Sequence, residues 1–190
     1  MSMGKSILRL AGILFIITAV VAGALGYVNN ITKDKIEAIQ AEKVQNAMKE
    51  IVPDAEGFVE VTDFVSADKN VVKVYEIRTG DAFGGLCVQV APNGFGGAIN
   101  MIVGVDAEGK VLGVRITSMT ETAGLGSKTN DAEWLAQYTG LSGTINLVKN
   151  SKTAETDVVA ISGATISSRA VTSGVQSALD FAATYQGGAQ

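Results

Sequence analysis

INMIVGVDAEGKVLGVRI, residues 99–116, decides the fold class. Its two halves, INMIVGV and KVLGVRI, are apolar and rich in β-branched residues. Between them Asp106-Ala107-Glu108-Gly109 supplies the short side chains and the glycine that a tight reversal needs. Two strands joined by so short a connection run antiparallel. Upstream the same texture recurs in VVKVYEIR (71–78) and in LCVQV (86–90), which stops before Pro92-Asn93-Gly94, so an antiparallel meander is expected from Val71 onward. Downstream, NDAEWLAQYTG (130–140) has a short helical pattern with Asn130 or Asp131 as its cap, and TINLV (144–148) reads as a strand. A further helix is expected from Ser167 to Tyr185, with Val171, Val175, Ala178, Leu179 and Ala182 as its apolar stripe. Strands and helices without regular alternation imply an α+β domain, an antiparallel sheet with flanking helices, and not a doubly wound dinucleotide fold.

The N-terminal third is different in kind. LAGILFIITAVVAGALGYV, residues 10–28, is uncharged and mostly apolar, and as a helix it spans about 28 Å, enough to cross a lipid bilayer. Lys5 and Arg9 precede it, Tyr27 stands where an interfacial aromatic belongs, and Asn29-Asn30 marks the return to water. A cleavable signal peptide also fits, through the small residues of Ala22-Gly23-Ala24, but the apolar run continues past them and favours a retained anchor. Next, Ile36, Ile39, Val44, Ala47, Met48 and Ile51 recur at helical spacing from a Thr32 cap candidate until Pro53 closes the segment. The expected division is a membrane anchor over residues 1–30, a juxtamembrane helix over 31–55 and one domain over 56–190.

Composition removes whole classes of chemistry. There is no histidine and a single cysteine, Cys87, so no histidine-based triad, no thiolate cluster and no internal disulfide can be built. Beyond Lys5 and Arg9 the chain carries 13 basic against 19 acidic side chains, a net −6 that argues against nucleic acid as a partner. Redox work in such a chain must ride on an organic cofactor.

The chemistry-bearing stretch is ISGATISS, residues 161–168, which joins the β-like run VVAI to the start of the last helix. Free N–H groups at a helix start, small residues and several hydroxyls suit a phosphate. Spacing alone allows a plainer reading, in which Ser162, Thr165 or Ser167 merely caps the helix.

SGAT with a hydroxyl residue two positions on resembles the flavinylation motif of the FMN-binding domain family shared by the G subunit of the Rnf ion-translocating electron-transport complex and the C subunit of sodium-translocating NADH:quinone oxidoreductase. Glu121-Thr122-Ala123-Gly124-Leu125-Gly126 is similar to that family's ETPGLG, with Ala123 in place of proline, and further likeness runs through GFGGAINMIVGVDAEGKVLGV. The short chain looks more like the Rnf member of the pair. Where the family commonly has an aspartate six residues before the acceptor threonine, this sequence has Val159, with Asp157 two residues earlier.

The resemblance implies FMN joined covalently, through its phosphate, to Thr165 by a separate flavin transferase. Ser162, Gly163, Ala164 and Ser167 would surround the phosphate, and Glu121, Thr122, Gly124, Leu125 and Gly126 would lie against the flavin. It implies an electron-relay subunit of an ion-translocating ferredoxin:NAD oxidoreductase, held in the cell membrane with other membrane subunits, its FMN domain on the extracytoplasmic side. Catalysis on a substrate would belong to the assembly. Two other readings are a free-standing extracytoplasmic electron carrier and a pilin-like structural protein, though the latter lacks the glutamate expected early in the apolar helix. Lys128 reads as a solvated lysine, Trp134 as core, Cys87 as a small buried side chain, and Phe95 as a residue packing beneath the site.

Overall fold

The computed structural model describes residues 3–80 and 82–185. It divides into two compact units, Met1–Glu42 and Lys43–Gln190, and the ends of the expected anchor and domain ranges, 1–2 and 186–190, lie outside the described residues. One helix, α1 (Met3–Ile51), makes up the first unit and contributes its last turns to the second. It is long and apolar enough to cross a membrane, and within the first unit Leu8, Leu14, Phe15, Val20 and Leu25 are all uncovered. A helix satisfies its own backbone, so such a surface is suited to hydrocarbon.

No break separates anchor from juxtamembrane helix. Thr32 does not cap anything: its Oγ1 donates back to the carbonyls of Val28 and Asn29, at 2.9 and 3.3 Å, within the running helix. Hydroxyls at mid-helix positions commonly bond backward in this way. The helix ends at Ile51, two residues before Pro53.

In the second unit, β1 (Gly57–Val61), β2 (Val71–Thr79), β3 (Ala82–Val90), β4 (Asn100–Asp106) and β5 (Val111–Ser118) form an antiparallel meander in sequential order. The reversal between β4 and β5 is built by Asp106, whose Oδ1 accepts from the N–H groups of Glu108 at 3.0 Å and Lys110 at 2.7 Å. Opposite Val103 sits Val114. After β5 come a 3₁₀ turn at Gly126–Asn130, the short α2 (Ala132–Leu135) and the strands β6 (Asn146–Val148) and β7 (Asp157–Val159), which pair in parallel. The chain ends its described part with α3 (Thr165–Thr184). Asp131 stands at the N-cap of α2, yet its side chain makes no capping bond.

Both faces of the sheet are covered, which is why its central strands read as nearly continuous apolar runs and not as a strict alternation. Val74, Leu86, Val88, Met101, Val103, Val105 and Val114 face α3, where Val171, Val175 and Ala178 are fully buried. Tyr75, Ile77, Cys87 and Ile102 point the other way, under Val44, Ala47 and Met48 from the end of α1. Burial pushes the Cys87 thiol up to about 12. Gly104 and Gly113 lie opposite each other on β4 and β5, and Ile51 sits in the notch they leave, its Cγ2 only 2.5 Å from where a side chain at Gly104 would begin. β1 was not foreseen from the sequence, nor was the parallel pairing of β6 with β7.

Candidate functional site

Three separate segments converge at the start of α3. The first is the glycine-rich turn after Asn93, closed by Gly94 N–H to Gly97 O at 2.8 Å. The second is the loop Glu121–Gly126, folded by Leu125 and Ser127 N–H groups onto the Thr122 carbonyl, both at 3.2 Å. The third is the passage from β7 into α3, which α2 and the 3₁₀ turn after it (Ala136–Tyr138) fix from the side: Trp134 Nε1 donates to Val159 O at 2.8 Å, and Val159 N donates to Gln137 Oε1 at 3.0 Å. Gly163 lies at φ +79, a left-handed turn that other residues resist, and it swings the chain into the helix.

One carboxylate ties these segments together. Glu121 Oε1 accepts from the N–H groups of Phe95 at 2.8 Å and Gly96 at 3.0 Å, while Oε2 accepts from the Ser167 hydroxyl at 2.7 Å. The surrounding space is glycine space: a Cβ at Gly94 would fall 2.1 Å from Oε1, and one at Gly126 would fall 2.3 Å from Oε2.

Between the segments lies a cleft of about 340 Å³, lined by Phe95, Glu121, Thr122, Leu125, Gly126, Gly163, Ala164, Thr165, Ile166 and Ser167. Eight of the ten residues expected at the site are therefore gathered along one wall or another. Gly124 and Ser162 are not among them. Gly124 serves the turn, its N–H donating to Ser127 Oγ at 2.9 Å, and Ser162 is exposed on the approach to the helix. Phe95 lines the cleft as a wall, largely exposed at 69%, and Ile166 joins it, 53% exposed. Ile166 carried one legible signal: an isoleucine in the first turn of a helix, off the buried stripe, needs some other cover.

The hydroxyls at the helix start differ sharply. Ser168 is fully buried, accepts from Ile161 N at 3.1 Å and donates to Ala164 O at 3.0 Å. Ser167 is buried and donates to Glu121. Thr165 is half-buried at the cleft wall, and no side-chain hydrogen bond among the described residues engages its hydroxyl, in contrast to those of Ser167 and Ser168. α3 also lacks a cap, because its N-cap position is Ala164 and makes no side-chain bond. The first backbone bond back into the helix is Ser168 N–H to Ala164 O, which leaves the N–H groups of Thr165, Ile166 and Ser167 without helical partners. An uncapped helix start, a free hydroxyl and apolar walls suit a flat aromatic group that ends in a phosphate.

Asp157 serves another purpose. Its carboxylate, buried, accepts from Thr153 N–H and Oγ1, both at 2.8 Å, and from Ala154 N–H at 2.9 Å, and these bonds, the Thr153 N–H foremost, hold its pKa below the usual carboxylate range. It pins the loop that leads into β7. Trp134 meets Tyr138 edge to face, with ring centres 5.5 Å apart, outside the cleft, and Lys128 is exposed, both as expected.

Comparison with known proteins gives concordant findings. The FMN-binding domain model matches residues 94–180, a range that begins at the glycine-rich turn and takes in all three converging segments. A model of the RnfG N-terminal region matches residues 1–51. The G subunit of the Na⁺-translocating ferredoxin:NAD⁺ oxidoreductase complex of Acetobacterium woodii is 32% identical over 185 residues, covering 90% of this chain and 89% of that protein. The G subunit of the ion-translocating oxidoreductase complex of Methanosarcina acetivorans is 33% identical over 193 residues, 98% of this chain and 100% of that one. The crystal structure of the C subunit of Na⁺-translocating NADH-quinone reductase from Parabacteroides distasonis has the same fold, with a TM-score of 0.53 and 19% identity over 70% of this chain and 79% of that one.

Proposed function

Since the chain belongs to the G-subunit family of ion-translocating oxidoreductase complexes, we propose that it is the electron-relay subunit of a membrane-bound assembly of the ferredoxin:NAD⁺ type, with FMN esterified to Thr165. The observation that carries this reading is the contrast among the hydroxyls: Ser167 and Ser168 are buried and engaged, whereas Thr165 stands free in the cleft at an uncapped helix start. FMN, once bound, supplies one- and two-electron transfer.

The chain's own residues hold and orient it. The bare N–H groups of the first turn of α3 would hold the phosphate, a contact worth about 0.3 to 1 kcal/mol, and up to about 2 when partly buried. Phe95, Leu125 and Ile166 are the large apolar side chains at the cleft and would cover the ring. Retention rests on the ester and not on affinity. Ester formation joins Thr165 Oγ to the flavin phosphorus, breaks the phosphoric anhydride of an activated flavin donor and releases the hydroxyl proton. The family resemblance assigns this transfer to a separate flavin transferase, which would supply the base that takes the proton.

The anchor is residues 1–30 and the juxtamembrane stretch 31–55, with the FMN domain over 56–190 on the extracytoplasmic side. Other membrane subunits are its partners. The deciding measurement is the intact mass of the chain purified from its own membranes. It should exceed the sequence mass by one esterified FMN, and Thr165→Val, which keeps the shape and deletes the oxygen, should return it to the bare value with the protein still folded. A Thr165→Val chain that keeps its flavin moves the acceptor elsewhere.

A further inference from the structure

We propose that Glu121 is the positioning residue of this site, acting through Ser167 and the Phe95–Gly96 turn and not by contact with the flavin. The inference rests on the assignment of Thr165 as the acceptor. A carboxylate offered to a ligand points its oxygens at the ligand. Here both oxygens are turned into the protein, where they take three donors from two distant segments, one 25 and 26 residues upstream and one 46 residues downstream. The seat is built for this side chain: only glycine at positions 94 and 126 leaves room for the oxygens, and a side chain at Gly126 would also fall 2.7 Å from Ser167 Oγ.

Two consequences follow from the geometry. First, the Ser167 hydroxyl spends its single proton on Glu121, so the helix start presents one free hydroxyl in the cleft, that of Thr165. Second, the backbone that carries Phe95, an exposed wall of the cleft, is hung from the same carboxylate. Acceptor and wall are thereby fixed relative to each other by one side chain.

Removing the brace therefore misplaces the acceptor and the wall together, and misplacement by about 1 Å costs on the order of 100-fold in a positioned reaction. Glutamine keeps the positions, since its carbonyl oxygen accepts from Phe95 and Gly96 and its NH₂ donates to Ser167 Oγ, with the direction of that last bond reversed and the Ser167 proton released. The test follows flavin incorporation into the full-length chain, produced in membranes together with a flavin transferase, for wild type, Glu121→Gln, Glu121→Ala and Ser167→Ala. Readouts are the rate of ester formation by intact mass, the modified residue by peptide mapping, the absorption spectrum of the loaded chain and the reactivity of the Cys87 thiol as a check on folding.

Glu121→Ala should load on the order of tenfold or more slowly, with a shifted flavin spectrum, while Glu121→Gln stays close to wild type. Ser167→Ala, which removes one leg of the brace, should fall between them. If Glu121→Ala loses protection of Cys87, Ser167→Ala decides. Loading and spectrum unchanged in a folded Glu121→Ala chain, or in Ser167→Ala, overturn the proposal, as does a Glu121→Gln chain as defective as the alanine variant. A wild-type chain that acquires no ester at all removes the Thr165 assignment itself, and this proposal with it.

Discussion

At the scale of single residues, Asp157 and Ser167 show where sequence reading succeeds and stops. The sequence pattern began the last helix at Ser167, just after the motif; the helix in fact starts two residues earlier, so that Thr165 is the first residue of α3. What spacing could not supply was the state of its neighbours, because the partner of Ser167 lies 46 residues away and that of Ser168 Oγ is a backbone N–H on the far side of a turn. Asp157, read only as a displaced family aspartate, turns out to close the Thr153–Ala154 loop. Its folded pKa is depressed, so the stability it contributes is present above the unfolded value near pH 4 and fades as pH falls below that toward the folded pKa. Asp157→Asn should therefore be destabilised at pH 7, and the gap to wild type should close as the pH drops below about 4. Urea unfolding of both proteins across pH 3 to 7 measures this, and a gap independent of pH would sink the account.

At the scale of elements, the strands flanking Asp106–Gly109 were legible because β-branched runs bounded by turn residues have few alternative readings. β1, GFVEV, was not, being a five-residue edge strand with no buried position and hence no pattern to betray it. The Thr32 cap candidate misled for another reason: a boundary between hydrocarbon and water is a change of solvent, and the backbone need not change conformation there. Where α1 ends, its grip on the sheet depends on the notch at Gly104 and Gly113. Gly104→Val would drive a side chain into Ile51, and overpacking of this kind costs about 1 to 3 kcal/mol. The same shift should uncover Cys87, whose thiol lies beneath Met48 and its neighbours. Reaction with an aromatic disulfide at pH 8 should thus be slow in the native wild type and faster in the variant, and equal rates would show that the notch does not secure the helix.

At the scale of the whole molecule, the apolar run indicated a membrane anchor and the missing histidines removed whole classes of chemistry, while the cofactor came from the motifs' resemblance to a family; which side of the membrane the domain faces was not legible, because Lys33, Lys35 and Lys43 offset Lys5 and Arg9. Protease added to intact spheroplasts should digest the domain and leave a small embedded N-terminal fragment. Digestion only after permeabilisation, with an external control protein cut normally, would reverse the orientation. The bare first turn of α3 has one more consequence, for protein turnover. Among the described residues nothing caps the first N–H groups of α3; a phosphate seated there would add about 1 kcal/mol, which would lower the unfolded fraction roughly fivefold. Chains that never receive their cofactor are then the ones that open more often, and cellular proteases remove what opens. In a pulse-chase, Thr165→Val should disappear faster than wild type, and the two should decay alike in cells that lack the flavin transferase, so that the age of a surviving molecule is itself a record of whether it was completed.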